Sequence, residues 1–598
     1  MGIPSRQVYL QAFAILVTLL VLLDSSAHGG ELTESLFAAV RSGDPSEAYV
    51  VRTGLGHSVG DGVGYDHGFS SFSNLIPLIE EPNKRLLFAD VNLLVTNQAT
   101  VGANIGVGHR VYDEDANRTW GLFAWYDFRE TEENRFHQMT IGLETLGEYL
   151  DVRSNIYIPD MADDRLPNPD GNYFTGNQLV IADEAAMTGW DMEAGTSLIN
   201  LGDIVVRGYV GGYFLRATGS PDTWGWRHRT ELELTDRMFV NLGVQEDDLF
   251  GQTMTVGITL HSLQAVRSPK PAPNWPPFNA MQRPRGSEMD RAEVAGRLAE
   301  PTRRFRNIMI HRQERVATDP TTGAALSFLH VVPGGAGDGS IENPYGSFAT
   351  AMTDPAAAGS RIYTPQGGTF TEDFTLVSGT ELLSSHRQQH VATQGGQRYL
   401  PGSGSTTATI VNGTITLADN TRVDGFTING QIAGDAVETV TLHRNVINAS
   451  AGLAGVSLTN IDNTGELIVL SENTISGGDS GIVASGPAVD LDLLDNTVLD
   501  AAIQAIQVEA TGVASSTWIV SGNSLSGSGA GDVAEAIFTN SGTGTVNLTL
   551  TGNSSTNDPA AGEFNFDLLN TGGGGFTIDS SASNSGTVGS SDGSVVIP

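Results

Sequence analysis

Six consecutive residues, Asp490-Leu491-Asp492-Leu493-Leu494-Asp495, hold the densest set of groups able to do chemistry. On a β-strand, Asp490 and Asp492 share the outer face while Leu491 and Leu493 point inward. Two neighbouring carboxylates can act as acid and base in glycoside hydrolysis, or hold calcium. A solvated face of an acidic domain needs no such chemistry, and that is the preferred reading. Elimination on a uronic acid would also want a cation to take or neutralise charge. From residue 327 onward there is no lysine, and the arginines (Arg361, Arg387, Arg398, Arg422, Arg444) all precede the Asp run. Whether Arg422 or Arg444 meets an Asp in a cleft is left open by the spacing.

His386 and His390 are four apart, a spacing that holds a metal when it falls on a helix. No third ligand and no metalloprotease-type Glu accompanies them, so a polar surface loop is expected. Gly572 to Gly575 reads as a flexible loop, and without a following Lys-Ser/Thr it is no phosphate loop. The chain has no cysteine, which excludes thiol catalysis and Cys-based metal sites. No catalytic, cofactor-binding or metal-binding residue is therefore assigned, and no cofactor is expected. Enzyme activity is left open, with a non-catalytic role favoured.

The element that would carry these groups is a repeat. Arg444-Asn445-Val446-Ile447, Glu472-Asn473-Thr474-Ile475, Asp495-Asn496-Thr497-Val498 and Gly522-Asn523-Ser524-Leu525 recur, with Gly552-Asn553-Ser554 as a frayed fifth copy. The asparagines are 28, 23, 27 and 30 residues apart. Those intervals fit the coils of a parallel β-solenoid in which each coil needs neighbours to bury its apolar face. Asparagine suits the turn because it tolerates the left-handed region and can hydrogen-bond the next coil.

Residues 48–262 follow a different rule. Val101, Ala103, Ile105 and Val107 alternate with Gly102, Asn104, Gly106, Gly108 and Arg110. Met254, Val256, Ile258 and Leu260 alternate likewise with small or polar residues. Strands of about ten residues with this parity suit a tilted bilayer span. The polar parity is charged (Asp127 with Arg129; Asp151 with Arg153; Asp191 with Glu193; Arg229 with Glu231 and Glu233). Trp120, Trp125, Tyr126, Phe128, Trp224 and Trp226 crowd near strand ends, as interfacial girdles would. Eleven or twelve strands joined by short turns are expected, with an even number preferred for a bacterial barrel.

Between these regions, 263–326 is rich in Pro and Arg. Residues 267–315 hold eleven Arg or Lys against five Asp or Glu. Ser287 and Asp290 can cap a short helix ending near Glu300, before Pro301. The segment is either an exposed linker or a basic strap through a lumen lined by Glu144, Asp191, Glu193, Glu231 and Glu233. At the start, Arg6 and the apolar run Ala12 to Leu23 read as a signal peptide (1–27, cleaved after Ala27). A short periplasmic segment, 28–47, follows. The formal net charge of -36 argues against nucleic acid as a partner.

Val101 to Arg110, Trp120 to Asp127, Phe136-His137-Gln138, Gly142-Leu143-Glu144, Asn155 to Pro159 and Gly189-Trp190-Asp191 together resemble the translocator barrel of inverse autotransporters, the intimin and invasin family of type V secretion. The resemblance implies a 12-stranded outer-membrane barrel in contact with lipid and inserted by the barrel-assembly machinery. It also implies a linker through the pore and a passenger outside the cell. Val331 to Ser340, with Asn343-Pro344 and Phe348, resembles the entry of pectate-lyase-like right-handed parallel β-helices, so 327–598 is expected to be that passenger. The expected class is all-β. The expected function is anchoring and display of a surface β-helix, for adhesion or contact with cells or polysaccharide. A surface-tethered polysaccharide lyase or hydrolase is the main alternative, and a porin with an appended domain the weaker one.

Overall fold

The computed structural model describes residues 51–160, 165–201, 204–235, 238–261, 291, 294–527, 534–557, 559 and 563–597. The expected signal peptide, the 28–47 segment and the proline-rich stretch before 291 lie outside them. The chain divides into two units. One runs through Asn168 and resumes over Ala182–Glu314; the other comprises Pro169–Ile181 and Arg315–Pro598.

In the first unit, strands β1 (Arg52–Gly60), β2 (Phe69–Glu81), β3 (Arg85–Thr96), β4 (Val101–Asp113), β5 (Arg118–Glu130), β6 (Arg135–Gly147) and β7 (Asp151–Pro159) pair in antiparallel order. After β8 (Leu166–Thr175) and β9 (Gln178–Ala186), the order resumes with β10 (Thr188–Leu201), β11 (Ile204–Arg216), β12 (Thr223–Thr235), β13 (Met238–Asp247) and β14 (Gly251–His261). β14 closes on β1, giving a barrel of 12 strands. Closure pairs every backbone edge, the condition for strands to cross a bilayer. The expected parity holds: Ile105, Met254, Ile258 and Leu260 face outward, while Asn104, Arg110, Asp127, Glu144 and Asp191 are buried inside.

Two expectations about the barrel need correction. The turns are not all short, because β7 pairs with β10 and the β8–β9 hairpin leaves the wall to join β15 (Ile310–Val316) in a separate three-stranded sheet. The segment departs from clean alternation, with Pro167 and Pro169 in β8 and β9 buried on both faces, but that pattern does not say which sheet the hairpin joins. Trp125 is no girdle residue. Trp120, Trp224 and Trp226 are exposed on the outer surface, whereas Trp125 is buried on the inner face, stacked on Phe123. The short helix is in view at Arg291 and Val294–Gly296, and ends in a 3-10 turn at Arg297–Ala299 that gives way to extended backbone at Glu300.

The second unit stacks parallel strands into a ten-stranded and a fifteen-stranded sheet. Register places like on like: Val440 pairs with Ile468, Ile468 with Leu491, Leu491 with Trp518 and Trp518 with Leu548, all buried. Each such side chain contributes about 1.5–3 kcal/mol by leaving water. At the turn, Asn445 Nδ2 donates to Asn473 Oδ1 (3.1 Å), Asn473 to Asn496 (2.9 Å), Asn496 to Asn523 (3.0 Å) and Asn523 to Asn553 (2.9 Å). The ladder gains a sixth member, Asn584, which accepts from Asn553 at 3.0 Å. The left-handed residue, however, is the one before each asparagine: Arg444, Glu472, Asp495, Gly522 and Gly552 have φ of +53° to +71°. The asparagines are kept for their hydrogen bonds and not for their backbone freedom.

Gly572 to Gly575 is also not a loose loop. A Cβ on Gly572 would lie 2.1 Å from the Gly542 carbonyl oxygen, and one on Gly574 2.0 Å from that of Gly544. These glycines let one coil's turn lie directly on the last.

Candidate functional site

The largest concentration of buried charge lies inside the barrel, between its inward side chains and residues 294–309. Arg304 sends Nη2 to Asp127 Oδ1 (2.6 Å) and Nη1 to Oδ2 (3.0 Å), with its guanidinium 4.6 Å from the Trp125 ring centre. Asp127 also accepts from Asn104 (2.9 Å) and Thr140 (2.6 Å), so its lone pairs are filled. Arg297 grips both Asp151 oxygens at 2.6 Å and holds Glu300 at 2.7 Å. Glu300 then reaches Arg153 (2.9 Å), which shares Glu144 with Arg110 (3.3 and 2.6 Å). Arg303 meets Glu231 at 2.6 Å. Of the five acidic wall residues named from sequence, Glu144 and Glu231 therefore pair directly with this segment or its contacts. Asp191 and Glu193 belong to a wall network with Tyr157, Arg227 and Arg229.

Apolar and backbone contacts complete the seat. Leu298 and Ala299 pack in a cluster with Leu75, Leu86, Phe88, Phe123 and Trp125. Phe305 sits 5.8 Å from both Tyr157 and Tyr213, under Arg227. The Arg110 guanidinium donates to the carbonyls of Leu298 and Glu300, and Arg129 to that of Ile308. A buried ion pair is weak evidence for stability, but here it fixes position, because each Arg finds its carboxylate at only one depth in the barrel. The signal missed in the sequence was Trp125: an aromatic on the polar parity marks the cation–π seat of Arg304.

The candidates in the second unit are dispersed. Arg422 and Arg444 do converge on an Asp, but it is Asp424: Arg422 Nη2 lies 2.6 Å from Oδ2, and Arg444 Nη2 2.9 Å from both oxygens. Asp424 is fully buried by this grip. Along the ten-stranded sheet, Asp492 is three strands further on, about 14 Å at ~4.8 Å per step. Asp490 is a cross-coil staple, accepting from Thr517 N (2.7 Å) and Gly465 N (3.1 Å). Asp492 stands beside it with its carboxyl raised by burial and by the Asp490 charge. Asp495 occupies a left-handed turn position. The Asp run thus yields no acid–base pair facing one substrate position.

His386 and His390 lie on no helix. His386 Nδ1 is 3.1 Å from the Ser405 carbonyl, and His390 begins a short strand with its ring 4.3 Å from that of Tyr399. Among the described residues no group of three or more His, Asp or Glu is placed to hold a metal.

A histidine not singled out from sequence is the better pH sensor. His330 is fully buried, with Phe174 4.6 Å away and Tyr363 also edge-on, and neither ring nitrogen has a protein partner. Burial pushes its pKa from 6.5 down to about 4, against the smaller opposing pulls of the Gly339 carbonyl and then the Glu342 carboxylate. The folded state thus keeps the ring neutral where the unfolded chain protonates it. Its contribution is complete above pH 6.5 and lost as pH falls toward 4, about 3 kcal/mol in all. His443, whose ring is also held down by burial, adds in the same direction. Unfolding of the second unit followed against pH should show loss of stability between 6.5 and 4, and His330→Leu should remove most of that slope. An unchanged slope would show that other groups carry it.

Residues 48–201 match the family model described as inverse autotransporter, beta-domain. Among curated proteins none matches. The chain is similar to a structure solved in work on in-meso crystallization of membrane proteins (14% identity, 44% of this chain and 100% of that one, TM-score 0.32). It is also similar to an outer membrane channel from Pseudomonas putida F1 (10%, 37% and 97%, TM-score 0.25). A third is the beta domain of the Bordetella autotransporter BrkA (9%, 35% and 96%, TM-score 0.20).

Proposed function

We propose that this chain, whose barrel is an inverse autotransporter β-domain anchored in the bacterial outer membrane, carries its own β-helix to the cell surface and holds it there. One observation carries the reading: residues 294–309 are ion-paired to the inner wall of the barrel, and the stacked coils follow them directly in the chain. In this reading the export signal delivers the chain to the periplasm and the barrel-assembly machinery inserts the barrel. The strap is what remains of the exported chain in the pore. Folding of coils outside then opposes return, because each added coil buries another rung of Val, Ile and Leu. The displayed flank is polar and acidic, suited to contact with other cells or polysaccharide, and adhesion is the role it serves.

The tethered-enzyme alternative draws on the Arg422–Asp424–Arg444 cluster, but that carboxylate is fully engaged and the second acidic pair lies three strands away. The porin alternative requires an open lumen, whereas this one is occupied by the strap. Protease shaving of intact cells tests the main reading. Cleavage within the passenger is expected while a periplasmic marker stays intact. A passenger protected until the outer membrane is broken would defeat it.

A further inference from the structure

Between the strap and the wall formed by β1, β2, β3, β12, β13 and β14 lies a cavity of about 230 Å³. It is large enough for several waters, each of which needs roughly 10–15 Å³. Its lining is rich in arginine: Arg52, Arg229, Arg303, Arg304 and Arg306 face a single carboxylate, Asp90, with the His261 ring beside them. Three of these arginines are satisfied by carboxylates elsewhere on the wall, Arg229 by Glu193, Arg303 by Glu231 and Arg304 by Asp127.

Arg306 is the exception. Its guanidinium lies inside the barrel, partly buried, and makes no hydrogen bond or ion pair among the described residues. The carboxylate that acts on it is Asp90, whose oxygens accept from Thr302 Oγ1 (2.6 Å) and Asn92 Nδ2 (2.9 Å) and make no hydrogen bond to Arg306. His261 lines the same cavity, and its Nδ1 is buried without a partner. A buried charge that lacks a partner is costly, and in folded proteins it is paired or hydrogen-bonded. A second cavity of about 620 Å³, at the β1–β2, β3–β4 and β13–β14 turns, has the opposite character. Asp61, Asp66, Glu130, Glu132 and Glu184 outnumber Arg129 and Arg312 there. The positive excess is therefore local to the strap cavity.

We propose that this cavity is a binding site for one small inorganic anion, a halide or oxyanion, held by Arg306 and His261 as the counter-ion of the strap. The anion supplies the negative charge that the wall lacks beside β1 and β14, and so helps seat residues 301–307. The inference rests on the observed place of the strap and not on what the passenger does outside the cell.

The purified full chain, crystallised with bromide as the halide, gives a direct test. Anomalous scattering should show a bromide peak in the cavity within hydrogen-bonding reach of Arg306. The peak should vanish in Arg306→Gln and persist in Arg312→Gln, which lies outside the cavity. Should Arg306→Gln fail to fold, the unsubstituted chain still decides the matter by whether bromide or water occupies the cavity. As a solution measure, exchanging gluconate for chloride or phosphate at fixed ionic strength should raise the Tm of the unsubstituted chain and not that of Arg306→Gln. Density for water alone, or an identical salt response in both proteins, would overturn the proposal. Surface display is not read in either arm, so failure here is separable from failure of the display reading.

Discussion

Arg304→Ala should be the most damaging single change to the strap, destabilising the plugged barrel by about 3–5 kcal/mol, the usual result of removing one partner from a buried ion pair. The reason lies in what stays behind. Asp127 is fully buried and would keep only the neutral donors Asn104, Thr140 and Gln138, while Trp125 would lose the guanidinium above its ring. Two measurements check this. Denaturant unfolding of the purified chain should shift to lower concentration, and conductance of single barrels in planar bilayers should rise as the strap leaves its seat. Asp127→Asn with Arg304→Gln keeps hydrogen-bonding groups at both positions without charge and should recover part of the loss. If Arg304→Ala conducts no better than the parent and unfolds at the same denaturant concentration, the ion pair does not hold the strap.

Asn496→Ala should weaken the β-helix by about 3 kcal/mol or more. Its side chain makes the ladder bond to Asn523, donates to the Leu470 carbonyl (2.8 Å), and accepts from Asn473 N (3.1 Å) and Nδ2 (2.9 Å). Truncation leaves several buried polar groups without partners, at roughly 1–3 kcal/mol each. An exposed ladder provides the control. Asn448 donates to Asn429 at 2.8 Å, and Asn429 to Asn412 at 2.8 Å, but these groups lie in water. Asn448→Ala should therefore change stability by less than about 0.5 kcal/mol. The two variants can be compared by the thermal transition of the second unit and by its resistance to protease in the purified chain. Equal effects would mean that burial of the inner ladder is not what gives it its weight.

The barrel was legible because the bilayer constrains sequence at short range. Every strand must alternate, and closure forbids an edge, so residues two apart already tell which way Ile105 or Asp127 faces. The solenoid was legible for a related reason, since coils that stack in register repeat their turn residue. That Asn445 and its successors bond to one another follows from spacing alone. Which residue of the turn is left-handed does not, because Arg444, Glu472 and Asp495 adopt that backbone against their intrinsic preference and only the stacked coils impose it.

The site in the lumen was legible as composition but not as geometry. Excess Arg in 267–315 and acid on the wall announced attraction between them, yet Arg304 and Asp127 are 177 residues apart, and nothing local selects that pairing over another. The β8–β9 segment makes the same point. Its strands lack clean alternation, with Pro167 and Pro169 in β8 and the apolar run Leu179–Ala182 in β9, but only packing assigns Pro169–Ile181 to the second unit, where Leu179 and Ile181 join Phe328 and Tyr363 in one cluster. By itself the sequence determined an alternating, closing, outer-membrane type of barrel, a basic segment and a stacked repeat, since each is written in periods of two to thirty residues. The tertiary structure alone decided which arginine meets which carboxylate, where a cationic cavity is left over, and which hairpin leaves the wall. Those outcomes depend on distances across the folded chain that no period encodes.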